Sequence, residues 1–388
     1  MHVLDVLKAR GFFHACTDEV ALRAHLDTPR TFYIGFDPTA DSLHVGNLVQ
    51  LMVMAHLGRA GHHPIAVVGG GTAKVGDPSG RDSTRDFMDN ERLEANKRGI
   101  AAQIAKFCTG RMIDNADWLD KLGYIEVLRE IGRYFSVNDM LRADSVKMRL
   151  ERQQGLSFIE FNYVLLQSYD FLELFRRHGC TIQVGGGDQW GNIVSGMDLI
   201  RRIERGQSFG LTTPLLTTAD GAKMGKSANG AVWLDPARVS PYDYFQYWVN
   251  VDDRDVRRFL KLFTFLELDA IDALDVSDFR APKRTLAIEA TAVVHGREAA
   301  LAADDAARVA FAGGVSDNMP TVAVSFPVGV LTALVAVGAA KSNSEARRLV
   351  EGGAISFGAE KMTDVKAMID GPGVLWAGKK RATRLERA

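Results

Sequence analysis

The 388-residue sequence carries only three cysteines, Cys16, Cys108 and Cys180, far apart and never in C-x-x-C spacing. That scarcity argues against a zinc cluster or a disulfide framework and fits a reducing compartment. No run of 18 apolar residues occurs, and Met1-His2-Val3-Leu4-Asp5 opens an amphipathic helix without a signal-peptide core, so the expected setting is cytoplasmic with no membrane partner. Net charge is nearly absent too: 47 Lys+Arg against 48 Asp+Glu leave -1. No global field points to nucleic acid, and any RNA contact must rest on a local patch. At 46% hydrophobic and 24% charged residues the composition is that of an ordinary globular protein, and the length calls for two or three domains.

What the chain does have is a polar loop, Tyr33-Ile34-Gly35-Phe36-Asp37-Pro38-Thr39-Ala40-Asp41-Ser42-Leu43-His44-Val45-Gly46-Asn47, and a distant Lys223-Met224-Gly225-Lys226-Ser227. Thr31 to Phe36 is β-branched and aromatic and reads as a strand, and Asp41 or Ser42 can cap the apolar-periodic helix that begins near Leu43. His44 then stands at a helix N-terminus, where orphan N–H groups favour phosphate and an imidazole N–H can donate to a phosphoryl oxygen. Gly46, without a Cβ, lets a nucleotide lie close to the backbone. A His-x-Gly turn paired with a lysine loop suits an enzyme that grips the triphosphate of ATP.

Short β-rich runs at Thr31 to Phe36, Pro64 to Val68, Cys180 to Val184 and Leu211 to Leu215 alternate with helices, which indicates a parallel α/β sheet with ligands beyond the carboxyl ends of its strands. Two strands run into glycine. In Gly69 to Arg81, Gly71 and Gly76 have P-loop spacing, but Asp77-Pro78 stands where Lys-Ser/Thr is needed, so a Walker cradle is rejected. Gly185 to Asn192 lacks a dinucleotide fingerprint. Both loops carry a carboxylate, Asp77 and Asp188, suited to an ammonium or a ribose hydroxyl. Along Phe158 to Arg177, Tyr163, Gln167 and Asp170 fall on one helical face while most of the rest is apolar. That polar stripe needs partners, because an unpaired buried polar group costs about 1–3 kcal/mol.

From Pro241 strand signals fade: Val256 to Leu266 and a long Ala-rich run, Lys283 to Phe311, read as helices, and Gly313 to Pro327 reads as a linker. Ser325 to Ala388 holds 10 Lys/Arg against 6 Asp/Glu. Asn343 or Ser344 caps a short helix carrying Arg347 and Arg348, and the tail is basic through Lys379, Lys380 and Arg381. This is a candidate RNA-backbone patch.

Tyr33 to Val45, Gly76 to Gly80, Phe161 to Phe171, Gly185 to Asn192, Lys223 to Ser227 and Leu286 to Ala299, in this order and spacing, resemble the bacterial tyrosyl-tRNA synthetases, class I aminoacyl-tRNA synthetases. The likeness covers essentially the whole chain. It implies a Rossmann-like parallel-sheet catalytic domain over 1–222 with a helical insertion at about 120–160, and a signature-loop connector over 223–240. Beyond these it implies a helical anticodon-binding domain over 241–312, a linker over 313–327, and a small α+β RNA-binding module over 328–388, similar to a small-subunit ribosomal protein fold. On the same resemblance Thr39 and His44 match contacts to the ATP phosphates, Lys223, Lys226 and Ser227 the signature loop, and Arg81 and Arg85 basic positions that assist it. Tyr33 and Asp170 match the pair holding a substrate phenol, Asp77, Tyr163 and Gln167 the ammonium binders, and Gln189 a neighbour of the carboxylate. Gly35, Asp37, Gly186 and Asp188 match the nucleotide side.

Two departures stand out: Asn47 where the family often has a second histidine, and Ile34 where some members place a cysteine. The implied substrates are L-tyrosine, ATP with Mg²⁺, and tRNA(Tyr), with no bound zinc, and the implied assembly is a homodimer through the region of Ile125 to Leu156. The rivals are a tryptophanyl-type synthetase, a small nucleotidyltransferase and a non-catalytic RNA-binding relative.

Overall fold

The computed structural model describes residues 1–79, 88–153, 155–221, 224, 226–227, 230–275, 277–311, 320–378 and 381–388, with the backbone alone for 144, 145, 226, 227, 310, 311 and 381. Arg81, Arg85, Lys223, Lys379 and Lys380 lie outside the described residues. Two compact units result, one formed by Met1–Asp235 with Asp252–Leu274 and the other by Pro236–Val251 with Asp275–Ala388.

The first unit is built on a six-stranded sheet: β1 Ala15–Cys16, β2 Thr31–Phe36, β3 His63–Val68, β4 Arg111–Asp114, β5 Cys180–Gly186 and β6 Phe209–Thr213, in the order β1-β6-β5-β2-β3-β4. All pairs are parallel except β1 with β6. Among the five parallel strands, chain order runs outward in both directions from the β2–β5 pair, which makes the carboxyl ends of these two strands the topological switch point. Both are buried on both faces, so they read as continuous apolar runs. The last strand forms two residues earlier than Leu211 to Leu215, because Pro214 has no N–H for the ladder.

A buried Arg10, at the end of the first helix, donates to the carbonyls of Lys261 (3.1 Å), Thr264 (3.0 Å) and Leu266 (2.7 Å). These carbonyls lie in and just beyond the last turn of helix Asp253–Phe263, so the bonds fasten segment 252–274 within the first unit. The helices expected along 241–312 are therefore shared between two units.

In the second unit, helices Pro241–Val249, Arg280–His295 and Arg297–Phe311 pack on one another. The run read as one helix from Lys283 to Phe311 is broken at Gly296, whose φ of +91° is left-handed backbone outside the α-helical region. A five-stranded sheet follows in the order Glu360–Met362, Ile355–Phe357, Gly373–Ala377, Arg381–Arg387, Thr321–Val324. Thr321–Val324 falls inside the segment read as a linker, yet it pairs in parallel with Arg381–Arg387. Tyr242 and Ala306 from the helices share an apolar cluster with Val374 and Ala382 of the sheet. Within this unit the 313–327 segment is thus not the sole connection between helices and sheet. Helix Asn343–Glu351 is capped by Ser342, whose hydroxyl accepts from Glu345 N–H, rather than by Asn343 or Ser344.

Candidate active site

Where β2, β3 and β5 end, a cavity of about 200 Å³ opens, lined by Tyr33, Gly35, Asp37, Asp77, Tyr163, Gln167, Asp170, Gly186 and Gln189 of the sequence-derived set. Strand alternation explains part of this: Tyr33 and Gly35 lie two apart and share a face of β2, with Asp37 just past its end. Helix Phe158–His178 brings Tyr163, Gln167 and Asp170 along one stripe. A Cβ on Gly35 would meet nothing within 4 Å, so any side chain there would fill the cavity itself.

Asp170 is 4% exposed, and its two oxygens accept from Asn115 Nδ2 (2.8 Å) and the Trp118 indole N–H (2.7 Å). Burial pushes its carboxyl up to about 7, against those two donors, which favour the charged form. The Tyr33 hydroxyl beside it is buried and, among the described residues, has no hydrogen-bond partner. Burial, and secondarily Asp170, raise its pKa well above the ordinary tyrosine value.

Across the cavity Asp77 accepts from Ser79 N–H (2.8 Å) and from Gln189 Nε2 (2.7 Å). Desolvation by its surroundings lifts its carboxyl to about 6, although part of the side chain still meets the cavity surface. Asn192 Nδ2 donates to Gln167 Oε1 (3.0 Å) and Gln189 Oε1 (3.3 Å), which links the helical stripe to the glycine loop. Two buried acceptors facing this cavity, Gln50 Oε1 and Gln183 Oε1, are also unpaired among the described residues.

Asn115, Trp118, Asn192 and Gln50 carry roles that sequence reasoning missed. Asn192 lies inside a loop already singled out. Asn115 follows β4, a partly exposed strand with a charged residue at each end and no clear pattern. Asp188 lines a different cleft, of about 1030 Å³, with Ser79 and Trp190.

Thr39, His44, Gly46 and Asn47 lie outside the cavity, Thr39 and His44 on the turn leading from β2 and Gly46 and Asn47 in the first turn of helix Val45–Arg59. His44 is itself the cap, in place of Asp41 or Ser42: its Nδ1 accepts from Gly46 N–H (3.0 Å) and Asn47 Oδ1 accepts from His44 N–H (3.1 Å). Ser42 is committed elsewhere, donating to Leu43 O (2.8 Å) and accepting from Gln103 Nε2 (3.1 Å). A Cβ on Gly46 would stand 2.7 Å from His44 Cε1, so this glycine makes room for the imidazole, whereas Gly35 is the one open to the cavity. Lys226 and Ser227 form a two-residue strand paired with Gly230–Ala231.

Residues 26–312, which carry this sheet and its cavity, match the family model of class I tRNA synthetases (W and Y). Residues 311–374 match the model of the tyrosine–tRNA ligase SYY-like C-terminal domain. The chain is 51% identical over 376 residues to a tyrosine–tRNA ligase of Novosphingobium aromaticivorans, covering 93% of this chain and 92% of that one. It is 49% identical over 409 aligned residues to one of Nitrobacter winogradskyi, covering 99% and 98%. Among solved structures, a C-terminally truncated mitochondrial tyrosyl-tRNA synthetase of Aspergillus nidulans superposes with a TM-score of 0.71 at 32% identity, over 79% of this chain and 93% of that one. The chain belongs to the tyrosine–tRNA ligases of class I.

The raised carboxyls make a direct prediction. A carboxyl-carbon NMR titration of the ligand-free protein should show one resonance with a midpoint near 7, lost in Asp170→Asn, and another near 6, lost in Asp77→Asn. Because folding raises both values above the ordinary Asp value of about 3.9, their contribution to stability is fully present below about pH 4 and is lost as pH rises from there to about 6 for Asp77 and to about 7 for Asp170. Asn115→Ala removes a donor to the carboxylate and should move the Asp170 midpoint higher; an unmoved midpoint would refute the assigned bond.

Proposed function

We propose that the chain joins L-tyrosine to tRNA(Tyr) through a tyrosyl-adenylate formed at the 200 Å³ cavity, the reading best supported by the buried Tyr33 hydroxyl and Asp170 carboxylate at its wall. The substrate phenol donates to Asp170 and accepts from Tyr33. Asp77, Tyr163 and Gln167 take the ammonium, and Gln189 lies by the carboxylate. Gly35, Asp37, Gly186 and Asp188 serve the nucleotide, with Gly46 and Asn47 shaping the adjoining turn. The tyrosine carboxylate attacks the α-phosphate of ATP, which brings its Mg²⁺ as part of the substrate, and pyrophosphate leaves. The terminal adenosine hydroxyl of the tRNA then attacks the activated carbonyl.

No side chain in this set acts as a covalent nucleophile, so the rate comes from positioning and from electrostatic stabilisation. With Nδ1 accepting from Gly46, the neutral His44 ring carries its proton on Nε2, the nitrogen that donates to a phosphoryl oxygen. Thr39, Lys223, Lys226, Ser227, Arg81 and Arg85 complete the grip on the triphosphate in this reading. The three free cysteines accord with a cytoplasmic setting, and no described helix is long and apolar enough to cross a membrane.

The deciding experiment is ATP–pyrophosphate exchange with each amino acid in turn. Tyrosine alone should support it, and exchange with tryptophan instead, or with none, would overturn the assignment. Asp170→Ala should lower the tyrosine-to-phenylalanine ratio of kcat/KM by about tenfold or more, since an unpaired buried hydroxyl costs about 1–3 kcal/mol. In the unsubstituted enzyme tyrosine affinity should weaken below pH 7 as Asp170 takes up a proton.

Arg347 and Arg348 are exposed on helix Asn343–Glu351 and suit contacts to tRNA phosphates, alongside Lys379, Lys380 and Arg381. Reversing both, Arg347→Glu with Arg348→Glu, should leave pyrophosphate exchange intact while tRNA charging weakens and the log–log salt slope of tRNA binding falls by about 2. An unchanged slope would remove them from the RNA contact.

A homodimer is supported by an apolar surface: among the described residues, eight of the sixteen exposed large hydrophobic side chains, including Tyr124, Ile125, Val137 and Phe158, fall within 124–158. Ile125→Asp with Val137→Asp should shift sedimentation from dimer to monomer, whereas an unshifted profile would place any dimer contact elsewhere.

A further inference from the structure

Lys223 lies outside the described residues, but the chain on either side of it is held. Met224 N–H donates to Leu216 O (3.0 Å) and Gly221 N–H to Thr218 O (2.8 Å). The remaining groups of this root are held by the first turns of helix Asp253–Phe263. Ala219 N–H donates to Asp255 Oδ2 (2.8 Å), while Arg258 Nη2 donates both to Asp255 Oδ1 (2.6 Å) and to Thr217 O (2.5 Å). Asp255 is 3% exposed. A buried carboxylate with one oxygen on a loop N–H and the other on an arginine that itself holds the loop is a two-point clasp, and burial makes such charge-assisted bonds costly to break.

We propose that Asp255 and Arg258 are positioning residues for adenylate formation: they touch no substrate and fix the root from which Lys223 is presented. The proposal rests on the synthetase reading above for its rate effect. Gly221, the last described residue of this root, stands only two positions before Lys223 in the chain. The neighbouring Arg254–Asp220 pair does not belong to the clasp; both side chains are largely exposed, and such pairs contribute little.

A purely structural role is the competing account, since Asp255 also lies in the acidic first turn of its helix. The two separate in kinetics measured per tyrosine-binding site, counted by equilibrium dialysis. Asp255→Ala and Arg258→Ala should lower kcat for tyrosine-dependent pyrophosphate exchange by about tenfold or more, with KM for tyrosine within about twofold of the unsubstituted enzyme. Arg258→Lys, which keeps a donor near Thr217 O, should recover most of the rate, and Arg254→Ala should leave it unchanged. Tryptic cleavage after Lys223 and Lys226, followed by mass spectrometry, should quicken in the two alanine variants and not in Arg254→Ala. This readout holds even if no amino acid supports exchange, an outcome that would strike the synthetase reading and not the clasp. The proposal is overturned by unchanged per-site kcat, by kcat and tyrosine affinity falling together, or by cleavage rates equal to that of the unsubstituted chain.

Discussion

A carboxylate shut away from water must find its donors in the protein, and around Asp170 this requirement organises the end of the sheet. Asn115 is the hub. Its Oδ1 accepts from Gly71 N–H (2.8 Å) and its Nδ2 donates to Thr72 Oγ1 (3.0 Å) and to Asp170. One side chain thereby fixes the glycine turn after β3, the residue following β4, and the helix that carries the polar stripe. Trp118 supplies the second donor and is itself 3% exposed, packed in the same core as Tyr33 and Phe171. Losing either donor leaves the buried Asp170 carboxyl short of a partner, which costs about 1–3 kcal/mol. The site therefore has little freedom to drift.

The same cavity is short of bonds on its other walls. The Tyr33 hydroxyl and the Gln50 and Gln183 carbonyl oxygens are buried with no partner among the described residues. Each orphan carries a desolvation penalty of about 1–3 kcal/mol that a ligand with matching donors and acceptors removes. Asp37 presses in the same direction, raising the carboxyl pKa of both Asp77 and Asp170. Carboxylates raised by burial and by one another are relieved by an incoming ammonium or hydroxyl donor.

How much of this was legible in the sequence follows from how local each signal is. Thr31 to Phe36 announced itself because a strand buried on both faces must be apolar and β-branched throughout, and the stripe of Tyr163, Gln167 and Asp170 was visible because helical period is local. Arg111–Asp114 was not, since a partly exposed strand with a charge at each end has no pattern. Nor was Asn115, whose role exists only once three separate segments meet. Propensity favours Asp or Ser as a helix cap, yet Ser42 is drawn away by Leu43 O and Gln103, and the cap falls to His44. The strand Thr321–Val324 hid inside a stretch rich in turn residues because its partner, Arg381–Arg387, is remote in sequence.

The cap at His44 also explains why asparagine is at home at position 47. The third residue of a helix can reach back to the N–H of the cap, and a short amide does so with its oxygen, as Asn47 does. His44 in turn spends Nδ1 on Gly46 N–H, which fixes its tautomer, and Gly46 has no Cβ to push the ring away. The backbone on the far side is pinned as well: Val45 N–H donates to Val232 O and Leu234 N–H to Leu43 O, each bond spanning the bridge that pairs His44 with Trp233. The segment leaving the lysine loop is therefore hydrogen-bonded to the histidine turn, just as the segment entering it is held by Asp255 and Arg258. The backbone on both sides of the lysine loop is thus hydrogen-bonded within the first unit, one side to the helix that carries Asp255 and the other to the turn that carries His44.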